Sequence, residues 1–233
     1  MRYLFYLISL LITHLCYAET RLEYWDFNTD LSGASFDNGK GGIKNTGTHA
    51  SLWNHGKVPG MGANGAGQFV INGAGSAYRK VAASGFATGA KTTGRYQLVL
   101  EFSKWNLDST SKGSLGFEVV DTSGKRVVSL HLFPHSSTES KIRLSAVTTT
   151  GYQGRGYDYA GHVSSLTKDA PTSVVIDFNL DTDTVIYRIN GTQLKVVSDF
   201  SATSLSHLKF FTDANWSKQN SVSIDSMGLV KLL

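Results

Sequence analysis

Apolar residues in this chain recur at every second position in short runs, and a period of two fits a strand with one buried face rather than a helix. The runs at 22–27, 67–71, 78–81, 95–102, 115–120, 126–133, 141–147, 173–180, 184–189, 194–197, 208–212 and 222–230 are rich in β-branched and aromatic residues and are bounded by turn chemistry. Asp121-Thr-Ser-Gly124 and Asp181-Thr-Asp183 read as turns, and Asn190-Gly191 is a two-residue hairpin signature that demands positive φ. No convincing helix remains. About twelve strands in one domain are too many for a single open sheet, so the pattern predicts an all-β, two-sheet antiparallel jelly-roll sandwich. The absence of a repeat of about 20 to 50 residues argues against a propeller or solenoid.

The chain has 233 residues, 41% hydrophobic and 17% charged, with 24 Gly and one Cys, which excludes a collagen, a coiled coil, a disulfide-rich miniprotein and a wholly disordered chain. Residues 1–18 read as a signal peptide. Arg2 supplies the positive start, 4–15 is almost entirely apolar, and Cys16-Tyr17-Ala18 offers small residues at a cleavage site after Ala18. The run falls short of the roughly 17 residues a membrane span needs and contains His14. Secretion or export to the periplasm is therefore expected, with residues 19–233 as the β-jelly-roll domain. That domain has no thiol and must be stabilised by packing, which its length permits. A monomer with no membrane attachment after cleavage is expected. The net charge of +4 is scattered, unlike the concentrated basic stripe of a nucleic-acid binder. An acidic polysaccharide outside the cell is the natural polyanionic partner.

Two glycine-rich stretches, 32–67 and 148–166, interrupt the strand pattern and read as long loops; the second holds Tyr152, Arg155, Tyr157, Tyr159 and His162. Alternation puts Arg95, Gln97 and Glu101 on one face of their strand and Tyr96, Leu98, Leu100 and Phe102 on the other. It likewise groups Ser129 with His131, and Lys141 with Arg143 and Ser145. If these strands are neighbours, their polar faces form one concave basic surface. The alternative is a set of outer, solvated faces.

The strand order, the Tyr187-Arg188-Ile189-Asn190-Gly191 hairpin, the Leu208-Lys209-Phe210-Phe211 strand and the last strand, Ser223-Ile224-Asp225-Ser226-Met227-Gly228-Leu229, resemble the concanavalin-like jelly-roll superfamily. That group includes lectin modules, laminarinase-type glycosidases and lyases acting on alginate, glucuronan and ulvan. Through the opening Tyr24-Trp25-Asp26-Phe27, the chain is most similar to the small secreted ulvan lyases. The likeness spans nearly all of residues 19–233 and implies a secreted polysaccharide lyase that cleaves a uronic-acid-containing chain by β-elimination, with ulvan favoured over glucuronan or alginate.

Within such a group the residues discriminate between chemistries. A glycosidase needs two nearby carboxyl groups, and the Glu-x-Asp-x-Glu run of laminarinase relatives is absent; Asp181 and Asp183 lie in a turn. The alginate-lyase pattern Arg-x-Glu-x-Arg is incomplete, since Gln97 stands for the Glu and Val99 for the second Arg. β-Elimination instead needs a cation or amide to neutralise the uronate carboxylate, a base for the C5 proton and an acid for the leaving oxygen. Tyr159, or its neighbour Tyr157, is the candidate base and acid beside Arg155, with His131 assisting and Lys40 in a glycine-rich stretch that lets backbone approach substrate. Arg95, Gln97, Arg143, Arg155 and Tyr157 are the candidate substrate-binding residues. Each has a plainer reading, as a packing or sugar-stacking tyrosine, a structural histidine or a solvated charge. Tyr187 alternates with Val185 and Ile189 and reads as core; His49, Asn54, His55 and His162 are held in reserve.

No cofactor is required. No His-x-x-x-His or Cys cluster suggests zinc, while a structural calcium between the first and last strands could use Asp26 or Asp225. The main alternative function is a non-catalytic, lectin-like carbohydrate-binding module, followed by a glycoside hydrolase and an adhesin.

Overall fold

The computed structural model describes residues 19–25, 61–63, 69–72, 80–85, 89–107, 114–137, 139–154, 157–212 and 220–233; for 19–25, 61–63, 69–72, 80–85, 104, 151–154, 157–160 and 210–212 the description is of backbone only. The strands are β1 (Glu19–Trp25), β2 (Met61–Ala63), β3 (Phe69–Asn72), β4 (Lys80–Gly85), β5 (Arg95–Asn106), β6 (Leu115–Val120), β7 (Arg126–Pro134), β8 (Glu139–Gly154), β9 (Tyr157–Thr167), β10 (Thr172–Asn179), β11 (Thr184–Ile189), β12 (Thr192–Val197), β13 (His207–Thr212) and β14 (Ser221–Leu232). No helix occurs among the described residues.

Two antiparallel sheets result. The first runs β12-β11-β10-β5-β14-β3-β2, and the second β4-β13-β6-β7-β8-β9. β14 organises the first sheet: β5 pairs along one edge, while the other edge is divided between β3, at Ser221 to Ile224, and β1, at Met227 to Leu232. Alternation explains the packing. Tyr96, Leu98, Leu100 and Phe102 of β5 are buried with Val174, Ile176 and Phe178 of β10, and they join one core with Leu115, Phe117, Leu130, Leu132, Ile142 and Leu144 of the second sheet. The Tyr96 and Phe178 rings stack at 5.8 Å, and Phe200 meets Phe178 edge-on at 6.0 Å. The jelly-roll sandwich expected from the sequence is the observed fold.

The turns follow their residues. Asn190 and Gly191 have φ of 49° and 78°, as the hairpin requires. Gly124 has φ of 81°, and the Asp121 carboxylate accepts the Ser123 and Lys125 backbone N–H groups, each at 2.8 Å, which closes the turn between β6 and β7.

Two expectations change. Within 148–166 the described residues are strand rather than loop: 148–154 end β8 and 157–166 make most of β9, paired antiparallel at the sheet edge. Its glycines and tyrosines concealed strand pairing that is set by register with β8, information a single run does not contain. Of the other glycine-rich stretch, 32–67, β2 lies within the described residues and pairs with β3.

Candidate functional site

Core-facing residues fix the orientation of everything else on their strands. With Leu130 and Leu132 of β7 and Ile142 and Leu144 of β8 inside, His131 and Arg143 face outward, directly opposite each other across the two strands. Arg143 is exposed, its guanidinium carbon 5.7 Å from the Phe133 ring centroid on the next strand. On β6, Leu115, Phe117 and Val119 are inside, so Glu118 shares the outer face.

Glu118 is nevertheless only 3% exposed. Its carboxylate accepts from Arg126 Nε at 2.8 Å and lies 3.2 Å from His131 Nε2. Burial pushes its pKa up, but the His131 hydrogen bond and the charges of Arg126, His131 and Lys209 outweigh burial and hold it below the usual carboxylate range. Beside this cluster, Ser129 and Ser145, a directly opposed pair, share a buried 2.8 Å hydrogen bond. A buried anionic anchor thus fixes one imidazole edge, and an exposed cation, Arg143, stands on the adjacent strand.

Arg95 and Gln97 lie elsewhere. β5 belongs to the first sheet, and with Tyr96 and Leu98 in the core these two residues face outward from the opposite side of the sandwich. The single basic trough containing Arg95, Gln97, His131 and Arg143 therefore does not form, because period-two alternation tells inside from outside but not which sheet a strand joins. Arg95 donates from Nε at 2.8 Å and Nη2 at 2.5 Å to Asp177 of β10, Gln97 donates at 3.3 Å and Arg188 of β11 at 3.1 Å. Burial of Asp177 raises its pKa, but the Arg95 bond and charge, with Gln97 and Arg188, bring it below the ordinary value.

Tyr157 and Tyr159 are placed by backbone on β9, in the same sheet as His131, rather than in a loop. Position 159 pairs with Val147, four residues along β8 from Arg143, which pairs with His131. With strand rise and spacing of about 3.4 and 4.8 Å, the Cα atoms of 131 and 159 are about 17 Å apart. Lys40 and Arg155, with His49, Asn54 and His55, lie outside the described residues.

Tyr187 is fully buried, and burial, with the Asp199 carboxylate, pushes its phenol far above the ordinary tyrosine value, so it is the core residue its alternation predicted. His162 Nε2 sits 2.9 Å from Ser164 Oγ on β9. Asp181 is exposed in a turn and accepts the Gly94 N–H at 2.9 Å, a turn role rather than half of a hydrolytic pair. Asp225 stands where the β5/β14 register shifts and accepts from Ser103 Oγ at 3.2 Å. Among the described residues no group of three His, Cys, Asp or Glu could hold a metal ion, and Asp26 lies outside them.

Glu118, Arg126, Asp177 and Arg188 were not singled out from sequence. An acid flanked by Phe117 and Val119 in a strand was the available signal, since such a group needs a cationic partner across the sheet.

Two packed antiparallel sheets with these strand orders define a lectin-like jelly-roll sandwich of the concanavalin type. No protein-family profile matches the chain, and no curated protein matches its sequence. Among solved structures it is similar to the CBM2 module of the evolved Dit of Lactobacillus casei BL23 phage J-1, with 16% identity, a TM-score of 0.59, and 92% of this chain and 96% of that one covered. The carbohydrate recognition domain of Emp47p matches with 10% identity, a TM-score of 0.59 and coverage of 91% and 96%. The apo Crh5 transglycosylase matches with 10% identity, a TM-score of 0.54 and coverage of 91% and 87%.

Proposed function

We propose that this protein is exported and binds an acidic polysaccharide on the outer face of β7 and β8. The observation that carries this reading is the His131–Arg143 pair, directly opposed across the two strands, with the Arg143 guanidinium exposed and lying over Phe133. A guanidinium takes a carboxylate or sulfate through paired N–H donors, and Phe133 offers an apolar surface at the same position. The likeness to a carbohydrate-binding module and a carbohydrate recognition domain supports a sugar ligand.

β-Elimination is the second reading, favoured by one feature of the same pair. Elimination needs a base beside a cation that neutralises the uronate, and His131, held by buried Glu118, stands one strand from Arg143. Here Arg143 would bind the carboxylate, and His131 would take the C5 proton and return it to the departing glycosidic oxygen. Tyr159, on β9 of the same sheet, is the other candidate base. Ulvan is the first substrate to try, on the strength of the sequence resemblance.

Affinity electrophoresis in gels containing ulvan, glucuronan or alginate tests binding, and the ultraviolet absorbance of an unsaturated uronate product tests elimination. Arg143→Ala is expected to weaken binding about tenfold, as loss of a charge-assisted contact implies. Unchanged retardation in that variant moves the site off β8. If wild type forms product, His131→Ala should abolish it and Tyr159→Phe should not; the reverse pattern puts the base on β9. Retardation without product leaves the binding module.

A further inference from the structure

The Arg143 side chain reaches diagonally across β7. Arg143 pairs with His131, yet its guanidinium carbon stands 5.7 Å from the ring centroid of Phe133, and Phe133 is the direct partner of Lys141. We infer that Lys141 is a second anion-binding residue of the β7–β8 face, and that with Arg143 it selects polysaccharides carrying an acidic group on successive sugars over those in which such groups are sparse. The inference rests on the proposed binding of acidic polysaccharide at Arg143, and it names the feature of that ligand which the site distinguishes.

Alternation along β8 brings the two cations together. With Ile142 and Leu144 in the core, Lys141 and Arg143 share the outer face, and two residues of strand rise place their Cα atoms about 7 Å apart. Phe133 lies on the same face of the sheet, because Leu130 and Leu132 of β7 point inward. Directly opposed residues have Cβ atoms about 4.5–5.5 Å apart, so Lys141 borders the ring that the Arg143 guanidinium approaches. Lys141 is half-buried and Arg143 exposed, and both therefore present their charge to solvent. The guanidinium takes one carboxylate or sulfate through paired N–H donors, and the ammonium takes a neighbouring one as a point charge.

Among the described residues, no ion pair joins Lys141 or Arg143 to an acid. The register agrees. Arg143 has His131 and Val163 on its two sides, with Gly116 beyond His131, and Lys141 has Phe133 and Ser165. Glu118, on β6, is held by Arg126 and His131. Glu139 is exposed on the outer face of β8, but it precedes Lys141 by two residues, on the side away from Arg143, and lies opposite Thr167. The two cations thus stand side by side with no acid between them, an arrangement whose mutual repulsion a polyanion relieves. A chain acidic on every sugar serves both cations, whereas a sparsely charged one serves Arg143 or Lys141 and leaves the other unmatched.

The test uses the full chain in affinity electrophoresis, with glucuronan, which is acidic on every sugar, and with the same polymer after most of its carboxylates have been methyl-esterified. Lys141→Gln should weaken glucuronan binding about threefold to fivefold, as loss of one exposed ion contact implies, and should flatten its dependence on salt. Lys141→Arg should restore both. Esterification should weaken wild type more steeply than Lys141→Gln, because only wild type uses neighbouring charges. Thermal melts separate folding from binding. Wild-type affinity and salt dependence in Lys141→Gln, with Arg143→Ala impaired, overturn the role of Lys141 and leave the proposed function standing. Equal sensitivity of wild type and Lys141→Gln to esterification overturns the selection. If wild type binds neither polymer, or Arg143→Ala binds as wild type does, the β7–β8 reading falls and this inference with it.

Discussion

Asp177→Asn keeps the volume of a buried side chain and removes its charge, which isolates the electrostatic part of the β5–β10–β11 cluster. The wild-type carboxylate takes two bonds from Arg95 and one each from Gln97 and Arg188, at 2.5 to 3.3 Å. Hydrogen bonds to charged groups contribute about 1.5–3 kcal/mol each when buried. Here the two arginine side chains are 38% and 26% exposed and recover water when the carboxylate is lost. The net loss is therefore about 2–3 kcal/mol for the whole cluster rather than the sum of its contacts. At about 2–4 °C per kcal/mol for a domain of this size, the melting temperature should fall by roughly 4–12 °C.

The sign of the pH dependence is fixed by the pKa shift. Asp177 has a folded pKa below its unfolded value, so its contribution is fully present above the ordinary aspartate pKa of about 3.9 and is lost as pH falls through the lower folded value. Urea titrations of wild type and Asp177→Asn, followed by tryptophan fluorescence, should show the full gap near neutrality and a shrinking gap in acid. Glu118 shifts in the same direction, but it is present in both proteins and cancels in the difference. A gap as large in strong acid as at neutral pH, or no gap at neutral pH, would refute the charge argument.

Glu118→Gln should cost about 1–2 kcal/mol at neutral pH, by loss of its charged partners Arg126 and His131, and the difference from wild type should vanish in acid by the same sign; a pH-independent loss measured by urea unfolding would make the defect one of packing. Gly94 and Gly124 have φ of 102° and 81°, so alanine at either should destabilise by about 1–2 kcal/mol for the left-handed backbone. Gly94→Ala should be the worse, because its Cβ would lie 3.1 Å from Lys231 Cε while nothing approaches at Gly124; equal melting temperatures would dismiss that contact. Tyr187→Phe should leave polysaccharide retardation and any turnover unchanged, since the phenol is fully buried; loss of either with normal stability would take Tyr187 out of the core role.

The candidate sites were partly legible in the chain. His131 and Arg143 share a face and a neighbourhood, as their alternation allowed, because β7 and β8 are consecutive and form a hairpin. Arg95 and Gln97 lie on the face opposite Tyr96 and Leu98, as alternation indicated, but their partners, Asp177 and Arg188, come from strands some eighty residues or more away along the chain from Arg95. Position 159 reads as loop from its glycine and tyrosine neighbours, yet it stands in a strand because β8 supplies a ladder for it. The glycine at 161 sits opposite Ser145, where a small residue suits the pairing as well as it suits a turn.

What the amino-acid order alone determined is which side of each strand turns inward: Tyr96, Leu98 and Leu100 on one, Leu130 and Leu132 on another, with Asn190-Gly191 marking where a hairpin reverses. That information is local, because side chains alternate with a period of two whatever lies next to the strand. Tertiary structure decided which strands became neighbours and on which of two sheets each outer face lies. It separated Arg95 from Arg143 and gave Glu118 and Asp177 their cations. Pairing across long stretches of chain depends on the joint burial of both sheets against one core, and no single run of residues encodes that.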